Sequence, residues 1–183
     1  MFKLKNIENL HLFENFGIEE TIEIAGFKGK IDSIPYILKK VDSIKSNCCD
    51  GCIIQLIDAK AIAGEKHILH GIIHGILAFK RNENLANDLG IEICVRISAQ
   101  RQISKALNVL GLKEGEMDIV AILINCPDYF IDELANIFTR DDGVFNPNSS
   151  VLKEFYNISD EELAIFDIED ILIDKTSELI VEL

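Results

Sequence analysis

The chain has 183 residues, enough for one compact domain, and 48% of them are hydrophobic, which excludes wholesale disorder. With 18 basic against 31 acidic residues, the formal net charge is -13, which argues against a generally polycationic nucleic-acid binder and against a protein held on acidic lipid by charge. The first residues alternate charged and apolar side chains and no apolar run is long enough to cross a bilayer, so we expect no signal peptide and no membrane span. The odd count of five cysteines argues against a disulfide scaffold and favours a reducing, cytoplasmic setting.

The hydrophobic pattern predicts strands that alternate with helices. Asp118–Asn125 is the strongest prediction of a buried strand, and Ser159 with Glu162 fits the capping box that opens a helix. Clustered turn formers predict a loop over 139–151. The predicted elements are, in chain order, a strand at Thr21–Gly26, a helix capped by Asp32 to about Lys45, a central strand at Cys52–Ile57, a helix over Gly64–Lys80, a strand at Glu92–Ile97, a helix from Ile103 that stops at Gly111, the strand Asp118–Asn125, a helix over Asp128–Phe138 and a helix from Ser159 to about Ser177.

These elements predict an α+β fold with α/β-type layering, in which helices cover a small mixed or antiparallel sheet and one helix lies at the C-terminal end. No linker rich in Ser, Gly or Pro and no internal repeat divides the chain. We therefore expect residues 1–183 to form a single domain that carries the whole function.

Charge is distributed unevenly along the chain. Up to Lys113 there are 15 basic and 13 acidic residues, whereas from Glu114 onwards there are 3 basic and 18 acidic ones. The stretch Lys60–Lys113 alone has 8 basic and 4 acidic residues. This pattern is compatible with ordinary solvated helix faces, or with a small anion or RNA site in the middle of the chain and a different kind of contact at its end.

The sequence lacks the common catalytic motifs. It contains no phosphate-binding G-x-x-x-x-G-K-[ST] loop, no G-x-S-x-G nucleophile elbow and no H-E-x-x-H zinc motif. We therefore expect no enzyme that uses these mechanisms, and no cofactor.

Two groups of residues include potential metal ligands but also fit simpler roles. Cys48, Cys49 and Cys52 have C-x-x-C spacing, but the third opens an apolar strand, so buried or surface thiols are the favoured interpretation over a metal site. His67, His70 and His74 share one face of the predicted 64–80 helix because they are three and four residues apart. They could bind zinc, stack on unpaired RNA bases, or form an ordinary polar helix face.

Two glycines on the same helix, Gly71 and Gly75, lie on a neighbouring stripe. Each costs about 1 kcal/mol of helix stability relative to alanine. We therefore expect a close neighbour to require them.

The stretch Ile97–Leu112, ISAQRQISKALNVLGL, followed by the apolar strand from Asp118, resembles the PRPK-binding protein family. Members of this family are the small regulatory subunit of the KEOPS (EKC) tRNA-modifying complex. The match lies in a strand that ends in Ser98, a polar turn, and a helix that ends at Gly111 before another apolar strand. The resemblance extends over about Cys52–Leu183.

The resemblance implies a non-catalytic subunit of α/β fold that binds and stimulates the small atypical kinase/ATPase of the complex. It also implies recruitment of tRNA by its single-stranded 3′ CCA end, for formation of N6-threonylcarbamoyladenosine next to the anticodon. The catalytic threonylcarbamoyl-transferase subunit would be an indirect partner. An Ile- and Lys-rich chain without Trp suggests an archaeal or an AT-rich source.

We expect tRNA to contact the basic middle of the chain. Lys60 and Lys66 flank the start of the 64–80 helix, where free N–H groups attract phosphate. Arginine side chains on either side of the Ser98 turn could grip phosphate or stack on a base. The predicted RNA-binding residues are Lys60, Lys66, His67, His70, Arg96 and Arg101.

The C-terminal segment has apolar residues on more than one face of its predicted helix, which indicates a second apolar neighbour. That neighbour is either another part of the same domain or, as the resemblance favours, the kinase subunit. The predicted kinase-interface residues are Leu163, Phe166, Ile168 and Leu172. Two other functions stay open: a small zinc-dependent enzyme that uses the histidine face, and a protein–protein adaptor without RNA binding.

Overall fold

The computed structural model describes residues 2–3, 17–46, 48 and 51–181. The predicted α+β class is confirmed, with a small sheet, packed helices and a helix at the C-terminal end. The chain forms two compact units, Met1–Ile57 with Leu112–Val144 and Asp58–Gly111 with Phe145–Leu183. Within the described residues, no helix is both long and apolar enough to cross a membrane.

The elements are, in chain order, β1 (Phe2–Lys3), β2 (Ile22–Ile31), α1 (Ile34–Lys45), β3 (Ile53–Asp58), a short 3-10 helix (Ala59–Ala61), α2 (Glu65–Arg81), α3 (Leu89–Ile97), α4 (Ile103–Leu110), β4 (Gly115–Ile124), α5 (Phe130–Ala135), β5 (Thr139–Arg140), a second 3-10 helix (Asp142–Phe145), α6 (Ser149–Tyr156), α7 (Asp160–Leu163) and α8 (Ile168–Val181).

The sheet is built on β2 and β4, which pair antiparallel along their full length, from Ile22 opposite Ile124 to Ile31 opposite Gly115. The strand order is β1-β2-β4-β3, and β5 pairs with β2. The predicted central position of β3 is therefore wrong, since β3 ends the strand order of the described residues. Its apolar run is explained by packing of its side chains in the core of the first unit, which does not require a neighbour on both edges.

Helix α1 packs on this core through Ile37, Val41 and Ile44, which recur at helical spacing. Its N-cap residue is Ser33 and not the predicted Asp32, and no side-chain hydrogen bond caps it. Proline in the first turn favours the helix start, because the N–H that it lacks has no partner there in any case.

The first unit contains a disulfide, which the sequence did not predict. Cys52, just before β3, is bonded to Cys126, just after β4, with their Cα atoms 4.9 Å apart. The two cysteines are 74 residues apart in the chain, and antiparallel neighbours bring them together. The expectation of thiols alone is thus wrong for Cys52. Cys94 is a buried free thiol, Cys48 is half-buried, and Cys49 lies outside the described residues.

Helices α2 and α3 pack closely in the second unit, and this contact explains the two glycines of α2. A Cβ atom at Gly71 would collide with Ile97, and one at Gly75 would lie 2.8 Å from the Ile93 side chain. The predicted close neighbour is therefore confirmed as α3.

The predicted strand at Glu92–Ile97 is wrong, because this segment belongs to helix α3. Asp88 caps the helix by accepting a hydrogen bond from the N–H of Ile91 at 3.0 Å. Every side chain from Glu92 to Ser98 is buried, so the segment has no polar face and its hydrophobic pattern resembles that of a buried strand.

The predicted capping box of Ser159 and Glu162 is confirmed, but the helix it opens ends at Leu163. A turn then leads into α8, so the predicted continuous helix to Ser177 is wrong. The 139–151 segment is also more ordered than a loop, since it contains β5, a 3-10 helix and the start of α6. Helix α5 is shorter than the predicted 128–138 helix.

Candidate functional site

His67, a predicted RNA contact, is fully buried and bonded on both ring nitrogens. Its Nδ1 accepts a hydrogen bond from the N–H of Ala63 at 3.2 Å, and its Nε2 lies 2.9 Å from the carbonyl oxygen of Ile97, to which it donates. Burial lowers the pKa of His67 to about 4, so the ring is neutral at pH 7. His67 thus links the start of α2 to the end of α3, and its ring has no exposed surface for the predicted RNA contact.

Arg96, a second predicted RNA contact, is also buried, and it is paired with Glu92 one helical turn earlier. Its guanidinium lies 2.7 Å from the Glu92 carboxylate, and the other oxygen of that carboxylate accepts from the N–H groups of Leu85 and Ala86 at 2.8 Å each. Arg96 therefore neutralises a buried acid that fixes the preceding loop. The Arg96 side chain is only 3% exposed, which leaves almost no surface for the predicted RNA contact.

The N-terminus of α2, predicted to attract phosphate, already holds a carboxylate of the same chain. Glu169, in the first turn of α8, accepts from the backbone N–H of Lys66 at 2.9 Å and from that of His67 at 3.4 Å. Gly64 precedes the helix with a φ of 134° and leaves no room for a Cβ beside Glu169. This end of α2 is therefore an internal helix cap and not a phosphate site.

His70 and His74 are half-buried and lie side by side on α2, with ring centroids 4.3 Å apart. Burial lowers the pKa of both rings, that of His74 to about 4. His67 engages α3 instead, so the three histidines do not converge. Among the residues that the structure describes, no three His, Cys, Asp or Glu side chains come together as metal ligands. The zinc-enzyme alternative thus has no supporting geometry.

Lys60, Lys66 and Arg101 have exposed side chains, as an RNA contact requires. Arg101 lies at the rim of a cavity of about 330 Å³ within the second unit. The cavity brings together two segments that are distant in sequence, the turn between α3 and α4 and the second half of α8. Its lining residues are Ala99, Gln100, Arg101, Gln102, Lys105, Lys175, Glu178 and Leu179.

The turn that carries Arg101 is fixed by backbone hydrogen bonds. Ala99 adopts a left-handed conformation with a φ of 51°, and its N–H donates to Arg96, while the N–H of Gln100 donates to Val95 at 3.3 Å. This pattern ends α3 as a Schellman-type cap and redirects the chain into α4. Arg101 is thereby held next to the start of a new helix.

The cavity is positively charged although the protein as a whole is acidic. Arg101, Lys105 and Lys175 supply three cations, and Glu178 is the one acid in its lining. Two amide side chains of the same lining can donate and accept hydrogen bonds. Such an arrangement suits a phosphate group with a polar base or sugar beside it.

Lys105 and Lys175 are absent from the RNA-binding residues predicted from the sequence. Lys105 lies in the first turn of α4, four residues after Arg101, and both line the cavity. Lys175 is one of only three basic residues after Glu114, and this rarity is the sequence feature that could have marked it as a site residue. Nothing in the sequence indicates that α8 faces the α3–α4 turn.

The turn between α7 and α8 exposes two large apolar side chains. Ile165 is 73% exposed and Phe166 59%, while Leu163 is half-buried. Acidic side chains surround them in the chain, at positions that include Asp160 and Asp167. We call residues 160–167 the acidic tip. Exposed apolar residues flanked in the chain by charged ones are typical of a protein-binding surface.

Two of the predicted kinase-interface residues, Ile168 and Leu172, are buried in the core of the second unit. They pack with residues of α6 and of the segment before α2, in a cluster formed by Ala63, Leu152, Tyr156, Ile158, Ile168, Ile171 and Leu172. They therefore offer little surface for the predicted contact with a partner. The second apolar neighbour of this segment is largely the chain itself.

Comparisons with known proteins identify relatives over most of the chain. Residues 36–177 match the sequence profile of a family described as Kinase binding protein CGI-121. Over 70 residues, 38% of this chain and 46% of the relative, the sequence is 34% identical to Regulatory protein Cgi121 of Methanocaldococcus jannaschii. Over 119 residues, 64% of this chain and 67% of the relative, it is 26% identical to KEOPS complex subunit Cgi121 of Pyrococcus abyssi. The matching region thus spans about half of the first relative and about two thirds of the second.

Proposed function

Because the chain belongs to the CGI-121 kinase-binding protein family, we propose that it is a regulatory, kinase-binding subunit of a KEOPS complex and is not itself an enzyme. The family match over residues 36–177 is the observation that carries the proposal. Its partner is the small atypical kinase/ATPase of the complex, which it binds and stimulates in the cytoplasm. The transferase subunit that modifies tRNA is an indirect partner.

The acidic tip is the surface that we assign to the kinase. Phe166 and Ile165 supply exposed apolar area, while the half-buried Leu163 packs against the core of the second unit. Anchors of this kind carry most of the energy of an interface, while the acidic rim adds specificity and speed of association. A groove on the kinase with apolar walls and basic edges fits this surface.

Phe166→Glu tests the kinase surface. We expect it to weaken kinase binding by at least about 30-fold, because a central anchor is worth about 2 kcal/mol or more. Calorimetry measures the affinity, and circular dichroism checks the fold. Leu38→Glu is the matched control, since Leu38 is 49% exposed on α1 and lies outside the tip. If the folded Phe166→Glu variant binds the kinase with the affinity of the parent, the kinase does not bind at this surface.

The second part of the proposal is that the protein recruits tRNA through its single-stranded 3′ CCA end at the basic cavity. Arg101, Lys105 and Lys175 offer three cations for phosphate, and the cavity volume suits a single nucleotide better than a duplex. Further contacts to the sugar-phosphate backbone of the tRNA are assigned to Lys60, Lys66 and His70, because their side chains are exposed or half-buried. The tRNA so recruited would receive the N6-threonylcarbamoyladenosine modification next to its anticodon.

Arg101→Glu tests the RNA surface. We expect it to weaken binding of intact tRNA on the order of tenfold or more, because a charge-assisted contact is replaced by repulsion. The Tm should stay close to that of the parent. Lys39→Glu, a reversal of an exposed lysine on α1, is the matched control. tRNA without its 3′ end should bind weakly to every variant.

The pure adaptor is the alternative that this measurement tests. An adaptor without RNA binding would give no tRNA affinity for the parent protein, while kinase binding would be unchanged. Equal affinities of the parent and the Arg101→Glu variant would instead place the RNA elsewhere on the protein.

A further inference from the structure

Lys175 takes part in two surfaces that the proposed function assigns to different partners. Its side chain lines the basic cavity. Its Nζ also lies 3.8 Å from Oε1 of Glu162, in an ion pair whose members are 29% and 42% exposed. Lys175 can therefore face either the cavity or the acidic tip.

Glu162 belongs to the acidic tip through its role in the capping box. Its other oxygen, Oε2, accepts from the N–H of Ser159 at 2.7 Å, while its own N–H donates to the Ser159 hydroxyl at 3.1 Å. These two bonds fix α7 and the turn that presents Ile165 and Phe166. Oε1 faces Lys175 and is also within reach of solvent, where a basic side chain of a partner can approach it.

We infer that the Lys175–Glu162 ion pair couples the cavity to the acidic tip, so that tRNA and the kinase bind cooperatively. The inference rests on the proposed function and specifies how its two sites regulate each other. A phosphate in the cavity attracts Lys175 away from Glu162. A cation of the kinase that approaches Glu162 repels Lys175 towards the cavity.

The coupling is positive because the ion pair has to be broken only once when both ligands bind. Either ligand alone must disrupt the same pair, whereas the second ligand finds it already disrupted. Each ligand therefore binds more tightly in the presence of the other, and the enhancement is reciprocal. Partly exposed ion pairs are weak, so we expect an enhancement of about two- to fivefold.

The experiment measures the tRNA affinity of the full chain with and without a saturating concentration of the kinase subunit. The ratio of the two dissociation constants is the coupling factor, and its value for the parent is expected to exceed that of the uncoupled variants by about two- to fivefold. The same titration with the kinase as the varied component should give the same factor.

Three variants isolate the ion pair. Lys175→Gln should weaken tRNA binding and lose this part of the coupling. Lys105→Gln is the matched control, because it removes a cation from the same cavity but leaves the Lys175–Glu162 pair, so tRNA binding should weaken while the coupling is retained. Glu162→Gln keeps the capping box, which accepts glutamine at this position, and should lose the coupling while tRNA binding to the isolated chain becomes tighter.

Direct contact between the kinase and tRNA would multiply the coupling factor of every variant by the same amount. The comparison of Lys175→Gln with Lys105→Gln therefore shows whether the ion pair contributes to the coupling. Equal coupling factors in these two variants would overturn the linkage. A parent protein that binds both partners with independent affinities would overturn the linkage alone, whereas one that binds neither would overturn the proposed function as well.

Discussion

Glu169 joins the first turn of α8 to the first turn of α2, and its removal tests how the second unit is held together. One carboxylate oxygen accepts two backbone N–H groups of α2, those of Lys66 and His67. Substitution by alanine removes both acceptors and one negative charge from the positive end of a 17-residue helix. Gly64 has no side chain that could take over this role.

The expected loss of stability is the sum of two contributions, the lost hydrogen-bond acceptor and the lost negative charge. Loss of an N-cap acceptor costs about 1 kcal/mol, and loss of a favourable charge at a helix N-terminus costs about 0.3–1 kcal/mol. We therefore expect Glu169→Ala to reduce the free energy of unfolding by about 1–2 kcal/mol. Since each kcal/mol corresponds to about 2–4 °C in a chain of this size, the Tm should fall by about 2–8 °C.

Urea denaturation followed by circular dichroism measures the change, and two variants calibrate it. Glu169→Gln keeps an oxygen acceptor and loses the charge, so about half of the destabilisation should remain. Asp174→Ala removes an exposed acid from the same helix α8 and should change stability by less than about 0.5 kcal/mol. If Glu169→Ala is as stable as Asp174→Ala, the carboxylate does not cap α2 in solution.

Three further substitutions test the packing of α2 against α3. Arg96→Met should reduce the free energy of unfolding by about 3 kcal/mol, because it leaves the Glu92 carboxylate buried without its counter-ion. Urea denaturation at pH 7 measures this loss, and an almost unchanged stability would mean that the pair is solvated. Gly71→Ala should destabilise the protein by about 1–3 kcal/mol through collision with Ile97, whereas helix propensity alone predicts a gain in stability of about 1 kcal/mol. The sign of the change in Tm shows which of the two effects is larger. His67 has its pKa lowered to about 4 from 6.5, so the unfolded chain binds the extra proton and stability should fall as the pH drops from 7 to 5, by about 2 kcal/mol. The His67→Gln variant should lose that part of the pH dependence, and an unchanged slope between pH 7 and 5 would contradict the burial of a neutral ring.

Features that depend on residues close in sequence were predicted correctly. The capping box needs only Ser159 and Glu162, three residues apart, and the structure contains both of its hydrogen bonds. Helices α1, α2 and α4 follow from apolar residues at helical spacing. The β2 and β4 strands were predicted from an alternating and a continuous apolar pattern, but β2 extends to Ile31, beyond the predicted end at Gly26, and β4 begins at Gly115 rather than at Asp118. In each case the local preference and the tertiary environment agree.

The segment 92–97 fails because burial on all sides removes the periodicity on which the prediction depends. Its β-branched residues favour a strand by propensity, and the helix is chosen by contacts that the pattern does not contain. One local signal was available: Asp88 as an N-cap, followed by Glu92 and Arg96 at helical spacing. Arg96 alone was singled out from the sequence, as an RNA contact, whereas Glu92 and Arg96 neutralise each other in the core.

The candidate site could be predicted only in part for a related reason. The basic middle of the chain was correctly noticed, and Arg101 does lie at the cavity. The charge count cannot distinguish Arg101 from Arg96, because it does not show that Arg96 is buried beside Glu92 whereas Arg101 is exposed. Lys175 comes from the acidic end of the chain and joins the cavity only through the fold.

The distribution of charge finally bears on when tRNA would bind. A net charge of -13 repels a polyanion at long range, whereas three cations around one cavity attract phosphate only within about one Debye length, roughly 8 Å at physiological salt. Acidic residues of the tip contribute to this repulsion on the same unit that carries the cavity. A basic partner that covers the tip neutralises them and releases Lys175 from Glu162. We therefore expect the kinase-bound protein, rather than the isolated chain, to be the form that captures tRNA most tightly, and the advantage should shrink as salt screens both effects.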